Sequence, residues 1–309
     1  MEHYNRRKRK HNMLKDLSSF HKGVICIGIT TLAFSTMEIT GKMIANSVHP
    51  FQMTFLRFLV GGLFLLPFAL RELRYRRLKL KLSDFLFFAL TGVVGIVISM
   101  CLFQTAIFYT KAALVAVIFS SNPLFTAPLA RLILKEEMGF RKWVALALSI
   151  FGIVLIFNPF SVSPDIKGMT LALASAISFS LYSVISKLRI EKYGGMVLNS
   201  FSFLEGSAIL LLVMLPMGFP VLSGISFANI GQLLYLGIFV TGIGYFCYLS
   251  AMKYTSAIIA STVFFIKPAL ATILSLLILK EMPGLFGIAG IALIVTSSFL
   301  MLHKKDSAA

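Results

Sequence analysis

The chain has 309 residues, of which 58% are hydrophobic and 13% charged, with a formal net charge of +17. That balance lies outside the range of soluble domains and excludes an ordinary water-soluble enzyme or binding module. Cys26, Cys101 and Cys247 all sit in apolar runs, so neither a disulfide framework nor a zinc site is expected.

In chain order, residues 1–22 form a polar tail carrying the basic run Arg6, Arg7, Lys8, Arg9 and Lys10. It is too polar and too long for a signal-peptide n-region. Beside a membrane span, its charge reads as a topology signal that attracts anionic headgroups, not as a nucleic-acid site. Apolar runs then recur to the far end, each long enough to cross ~30 Å of hydrocarbon as a helix. They predict about ten spans near 23–47, 51–70, 84–107, 111–134, 142–158, 168–188, 196–216, 229–252, 255–279 and 285–302. The expected fold is an all-α, multi-pass membrane protein. A short tail, 303–309, ends the chain.

The sequence repeats itself at an offset of 145 residues without a gap. Tyr109, Thr110 and Pro123 fall on Tyr254, Thr255 and Pro268. Leu132 to Glu136 falls on Leu277 to Glu281, and Phe34, Ser35 and Lys42 fall on Phe179, Ser180 and Lys187. Two units follow, 23–158 and 168–302. Lys and Arg fix their direction: with both ends in the cytoplasm, 23 of the 29 lie in inside segments and three, Lys111, Lys167 and Lys280, outside. Five spans are an odd number, so the second copy enters the membrane upside down. Inverted repeats imply alternating access around a site near the midplane. Spans 4 and 9 centre on Asn122–Pro123 and Lys267–Pro268. A mid-span proline releases a carbonyl and permits a kink, so Pro123 and Pro268 are candidate hinges. Packing alone also accounts for such prolines.

These features resemble the drug/metabolite transporter superfamily and, within it, the ten-helix EamA family. The residues that carry the likeness are the two Pro…Leu-Ile-Leu-Lys-Glu blocks and the Phe34…Lys42 and Phe179…Lys187 segments. Arg57-Phe58-Leu59, Gly152 and Gly290 add to it. The resemblance implies a secondary transporter in the cell (plasma or inner) membrane, often an exporter of amino acids or related metabolites. Its cavity would be lined by spans 1, 3, 4, 6, 8 and 9. Lys267 and Glu205 depart from the family pattern.

Ionisable residues at membrane depth usually face protein or a water-filled cavity. Glu38 and Lys42 share a helix face and are placed to neutralise each other. Arg57 reads as a salt bridge or carbonyl clamp more than a substrate contact. Glu38 and Glu205 are candidates for coupling to a proton or other ion. Lys267 is the sharpest substrate candidate: its ammonium suits a carboxylate or phosphate, and the competing reading is a structural pair with Glu38 or Glu205. Ser35, Gln104, Asn122, Ser180, Tyr182, Tyr245 and Tyr248 complete the candidate set, although hydroxyls in membrane helices more often bond a neighbouring helix.

The expected function is transport of a small polar metabolite, an amino acid or related anion, as an exporter. Efflux of a lipophilic cation is the alternative. The sequence carries no HExxH, GxSxG or GxxxxGK[ST] motif and no filter-like segment, so an enzyme, a primary pump and a channel are disfavoured. The expected partners are a small-molecule substrate and the lipid bilayer, with no nucleic acid. No cofactor and no metal site are expected, and a homodimer is compatible with the sequence.

Overall fold

In hydrocarbon every backbone polar group has to be satisfied within the protein, which favours helices for so apolar a chain. A computed structural model describes residues 2–44, 47–109, 112–157, 166–270 and 285–302, and every regular element among them is helical. The first half holds α1 (Glu2–Ser35), α2 (Met37–Ile44), α3 (Pro50–Arg76), α4 (Leu82–Gly92), α5 (Cys101–Tyr109), α6 (Ala112–Ser120), α7 (Asn122–Leu129) and α8 (Phe140–Phe157). The second holds α9 (Ile166–Tyr193), α10 (Gly195–Met214), α11 (Ile230–Tyr235), α12 (Tyr245–Tyr254), α13 (Ala257–Ala260) and α14 (Leu285–Leu302). Among the described residues five continuous helices are long and apolar enough to span: Pro50–Arg76, Leu82–Ile107, Ile166–Tyr193, Gly195–Met214 and Ile230–Tyr254.

Three expected spans differ in detail. Span 1 breaks at Thr36, between α1 and α2, and the helix that precedes the break already begins at Glu2. Span 4 breaks at Ser121, one residue before α7, so Pro123 lies in the first turn of a helix. There its missing N–H costs nothing. Span 9 breaks earlier in its repeat, at Ser261–Thr262, and resumes over 263–270 with Pro268 inside that stretch. The remainder of span 9, 271–279, lies outside the described residues. The two prolines are equivalent in sequence, but the helix breaks beside them are not.

Among the described residues three π-helical stretches, Val93–Met100, Ala130–Leu134 and Leu236–Gly244, have no counterpart in what hydropathy predicts. The first joins α4 to α5 and the third joins α11 to α12. At the 145-residue offset Leu236–Gly244 falls on 91–99, so the repeat carries its wide turns in matched places. Such bulges are frequent at functional sites, and these two flank the cavity described below.

Small residues set how closely the helices approach. A Cβ on Gly92 would stand 2.6 Å from the Ser202 carbonyl oxygen and 2.8 Å from the Gly206 nitrogen, so α4 and α10 meet backbone to backbone. The spans that close each repeat, α8 and α14, pair in the same way: a Cβ on Gly152 would stand 2.8 Å from the Gly290 carbonyl oxygen, and the Ser149 and Ser297 hydroxyls are hydrogen-bonded nearby. Gly152→Leu is expected to push these helices apart at a cost of about 1–3 kcal/mol, read as a lower thermal-denaturation midpoint in detergent. An unchanged midpoint would show that α8 and α14 do not depend on this contact.

Candidate functional site

At the centre of the bundle a cavity is walled by Phe34, Met37, Met100, Phe103, Phe119, Phe179, Tyr245, Phe264 and Lys267. These residues come from expected spans 1, 3, 4, 6, 8 and 9. The free space is only 10 Å³, about what a single water needs, so the cavity is occluded in this conformation. Its walls are built from repeat pairs: Phe34 with Phe179, Met100 with Tyr245, and Phe119 with Phe264 each stand 145 residues apart. Met37, Phe103 and Lys267 also line it, whereas their partners at that offset, Tyr182, Tyr248 and Asn122, do not. The repeat relation therefore passes through the cavity, and it is imperfect in three places.

Aromatic edges make the walls. Phe34 and Tyr245 meet at 5.0 Å between centroids, Phe103 and Phe119 at 4.9 Å, and Phe179 and Phe264 at 5.3 Å. Among the described lining residues Lys267 supplies the positive charge. It is 6% exposed, and its carbonyl lies 3.5 Å from the Ser35 hydroxyl, whose short bond goes to the Thr31 carbonyl at 2.7 Å. Fully buried Arg57 stands behind the wall on α3: its guanidinium donates to the sulfurs of Met37 and Met100 at 2.8 and 3.0 Å and lies 4.8 Å from the Phe58 ring centroid. Thioethers are weak acceptors; the arrangement fixes the position of two cavity residues.

The remaining candidates separate into clear groups. Tyr245 lines the cavity and directs its hydroxyl to Met100. The Asn122 amide donates to the Ala176 carbonyl at 2.9 Å and to Ser180 Oγ at 2.7 Å, and its oxygen accepts from Thr126 at 3.0 Å. Asn122 and Ser180 thus bolt α7 to α9. Tyr248 pairs with Ser183 at 3.0 Å, and Tyr182 donates to Asn199 at 3.4 Å. Gln104 is buried on α5 and is not among the lining residues. Glu205 is half-buried on α10, and its Oε1 has no hydrogen-bond partner among the described residues. Glu38 and Lys42 belong to α2, but their side chains lie outside the described residues.

Sequence reasoning missed the apolar wall residues Met37, Met100, Phe103, Phe119 and Phe264. The offset was the available signal, because Phe119 and Phe264 align under it. It also missed Asp84, a buried acid that ties the start of α4 to the end of α9.

Two five-span repeats enclosing an occluded cavity between them form the architecture of a membrane transporter. The chain belongs to the EamA-like transporter family, whose pattern matches it twice, at residues 21–158 and 166–303. It is 45% identical over 295 residues to an uncharacterized transporter of Clostridium kluyveri, covering 93% of this chain and 95% of that one. It is 24% identical to an S-adenosylmethionine uptake transporter of Rickettsia prowazekii, over 94% and 95% of the two chains. A protein crystal structure shares the fold, with a TM-score of 0.75 at 20% identity, over 90% of this chain and 95% of its own. Family and relatives alike are transporters, not enzymes.

Proposed function

We propose that this chain is a secondary carrier that works by alternating access, with the cavity at the repeat interface as its substrate site. Its substrate on this reading is an amino acid or an amino-acid-like carboxylate. The observation that carries the proposal is the cavity itself: three complete repeat pairs and one buried lysine. Lys267 offers a carboxylate its counter-ion, and the ring of Phe and Tyr suits an apolar or cationic body. S-adenosylmethionine, named for the Rickettsia relative, is an amino acid of that general kind. The three half-pairs support the mechanism. In the opposite-facing conformation Tyr182, Tyr248 and Asn122 would take the places now held by Met37, Phe103 and Lys267. A carrier runs in the direction its gradients drive, so export and uptake are compatible with one site. We assign the termini to the cytoplasm, and Glu205 and Glu38 as the acids for coupling to a proton or other ion.

Aromatic walls also attract cations, which favours efflux of a lipophilic cation as the second reading. A thermal-shift panel of amino acids, S-adenosylmethionine, organic acids and lipophilic cations separates the two. A ligand at 100 times its Kd stabilises by about 2.7 kcal/mol. A raised midpoint is expected with carboxylate-bearing amino acids. Stabilisation by lipophilic cations alone would replace the first reading with the second.

A further inference from the structure

The turn between α12 and α13, Thr255–Ser256, lies on the face that the Lys and Arg bias assigns to the cytoplasm. At 1.5 Å per residue, α12 carries it roughly 15 Å from Tyr245 at the cavity. Tyr248, on α12 between Tyr245 and the turn, extends the aromatic wall into a layer: Phe264 meets Phe179 at 5.3 Å and Tyr248 at 5.7 Å, and Phe179 meets Tyr248 at 5.9 Å. Opening the cavity to this face requires the turn and this layer to move.

Two oppositely charged side chains from distant parts of the sequence hold the turn on both sides. The Glu136 carboxylate accepts from the N–H of Ala257 at 2.8 Å through one oxygen and of Ile258 at 3.2 Å through the other. Ser256 Oγ accepts from Ile259 at 3.1 Å. The first three amides of α13 are thereby satisfied, two of them by a charge that the helix dipole favours at its N-terminus. On the other side, the Lys187 ammonium of α9 donates to the Met252 carbonyl in the last turn of α12. A cation there is favoured for the same reason.

The chain is bent to aim Glu136. Lys135 adopts the left-handed conformation with φ 57°, one of two non-glycine residues with positive φ among the described residues. The Glu136 N–H then closes onto the Ala130 carbonyl at 3.3 Å, ending the π-helical stretch Ala130–Leu134. This is a usual way for a helix to end, as at Arg77 after α3, and here it turns the chain toward α13. Both residue types recur in the sequence at the equivalent positions, Lys42 and Glu281, whose side chains lie outside the described residues.

We propose that Glu136 and Lys187 are gating residues that latch the α12–α13 turn and hold the cavity shut toward the cytoplasm, and that each transport cycle breaks both contacts. The proposal rests on the alternating-access reading above. A charge latch fits this duty because it is short-range and all-or-none: once the helix ends part, both charges regain water and little pulls them back.

The test needs no known substrate. Cys26, Cys101 and Cys247 are replaced by serine, and a reporter cysteine is placed on the cavity wall as Phe103→Cys. Right-side-out and inside-out membrane vesicles are then treated with a membrane-impermeant maleimide. Glu136→Ala and Lys187→Met are expected to speed labelling from the cytoplasmic face by about tenfold or more and to slow it from the other, as a shift between two states requires. Lys187→Arg keeps the charge and is expected to label slowly. Glu136→Gln preserves shape while removing charge, so it decides the matter if the alanine variant does not fold. Unchanged cytoplasmic labelling in folded Glu136→Gln and Lys187→Met would overturn the latch and leave the carrier reading standing. Rapid labelling from both faces in the protein with the latch intact would instead remove alternating access, and the latch with it.

Discussion

Lys267→Met is expected to leave the protein folded and to abolish its response to carboxylate ligands. Methionine keeps the length and apolar stem of lysine, so the wall formed with Phe264 and Tyr245 retains its shape. What is lost is a charge in a closed, largely apolar chamber where water does not compete. Truncating one partner of a buried charged hydrogen bond costs about 2–5 kcal/mol. At 1.4 kcal/mol per factor of ten, this weakens binding by roughly 30-fold to several thousand-fold. The measurement is the ligand-dependent thermal shift of variant against parent, followed by counterflow in proteoliposomes with whichever ligand the panel identifies. The sign of the effect also separates the two readings of the site. A carboxylate loses its counter-ion and binds more weakly, whereas a lipophilic cation is freed from a like charge and binds more tightly. Undiminished carboxylate binding by Lys267→Met would remove the lysine from the site.

Asp84→Ala is expected to lower the stability of the protein substantially without touching the cavity. Asp84 is 1% exposed at the start of α4. Its Oδ1 accepts from Lys192 Nζ and Tyr193 Oη, each at 2.6 Å, and its Oδ2 from the Lys81 N–H at 2.9 Å. Arg189 stands at 3.8 Å. One carboxylate thus caps α4 and fastens it to the end of α9. Lys192 is about half exposed, so water screens part of its attraction, and Lys81 is exposed as well, whereas the Tyr193 hydroxyl is buried with the acid. Alanine strands that hydroxyl and removes the cap. Losses of this kind cost about 3 kcal/mol, read as a thermal midpoint several degrees lower in detergent, with Asp84→Asn in between. A midpoint equal to the parent's would mean that α4 and α9 are held by their apolar contacts alone.

Much of this was legible because it is written in composition and repetition. Span number and the repeat offset need only hydropathy and self-similarity. Lys267 stood out because a charge within an apolar run is rare, and it does line the cavity. Among the candidates chosen for polarity, Asn122, Ser180, Tyr182 and Tyr248 are hydrogen-bonded between helices in this conformation, since a polar group buried among helices is satisfied first by its neighbours. The wall residues were hidden for the opposite reason. In a span that is apolar all round, a phenylalanine facing lipid and one facing the cavity read alike, and the chain has 29 of them. The π-helical stretches were equally silent, because hydropathy along an apolar span reads a wide turn and an ordinary one alike.

The sequence by itself determined that this chain is a membrane-embedded helical protein made of two like halves and that a lysine falls where those halves meet. Hydrophobicity and repetition are properties of the chain, and no fold is needed to read them. Only the tertiary structure decided which residues enclose the cavity, that it is shut, and that Glu136 and Lys187 close over a turn more than 60 residues away from either. These follow from which faces of the helices meet, and that choice is made by packing between distant segments, where the linear pattern carries no sign of it.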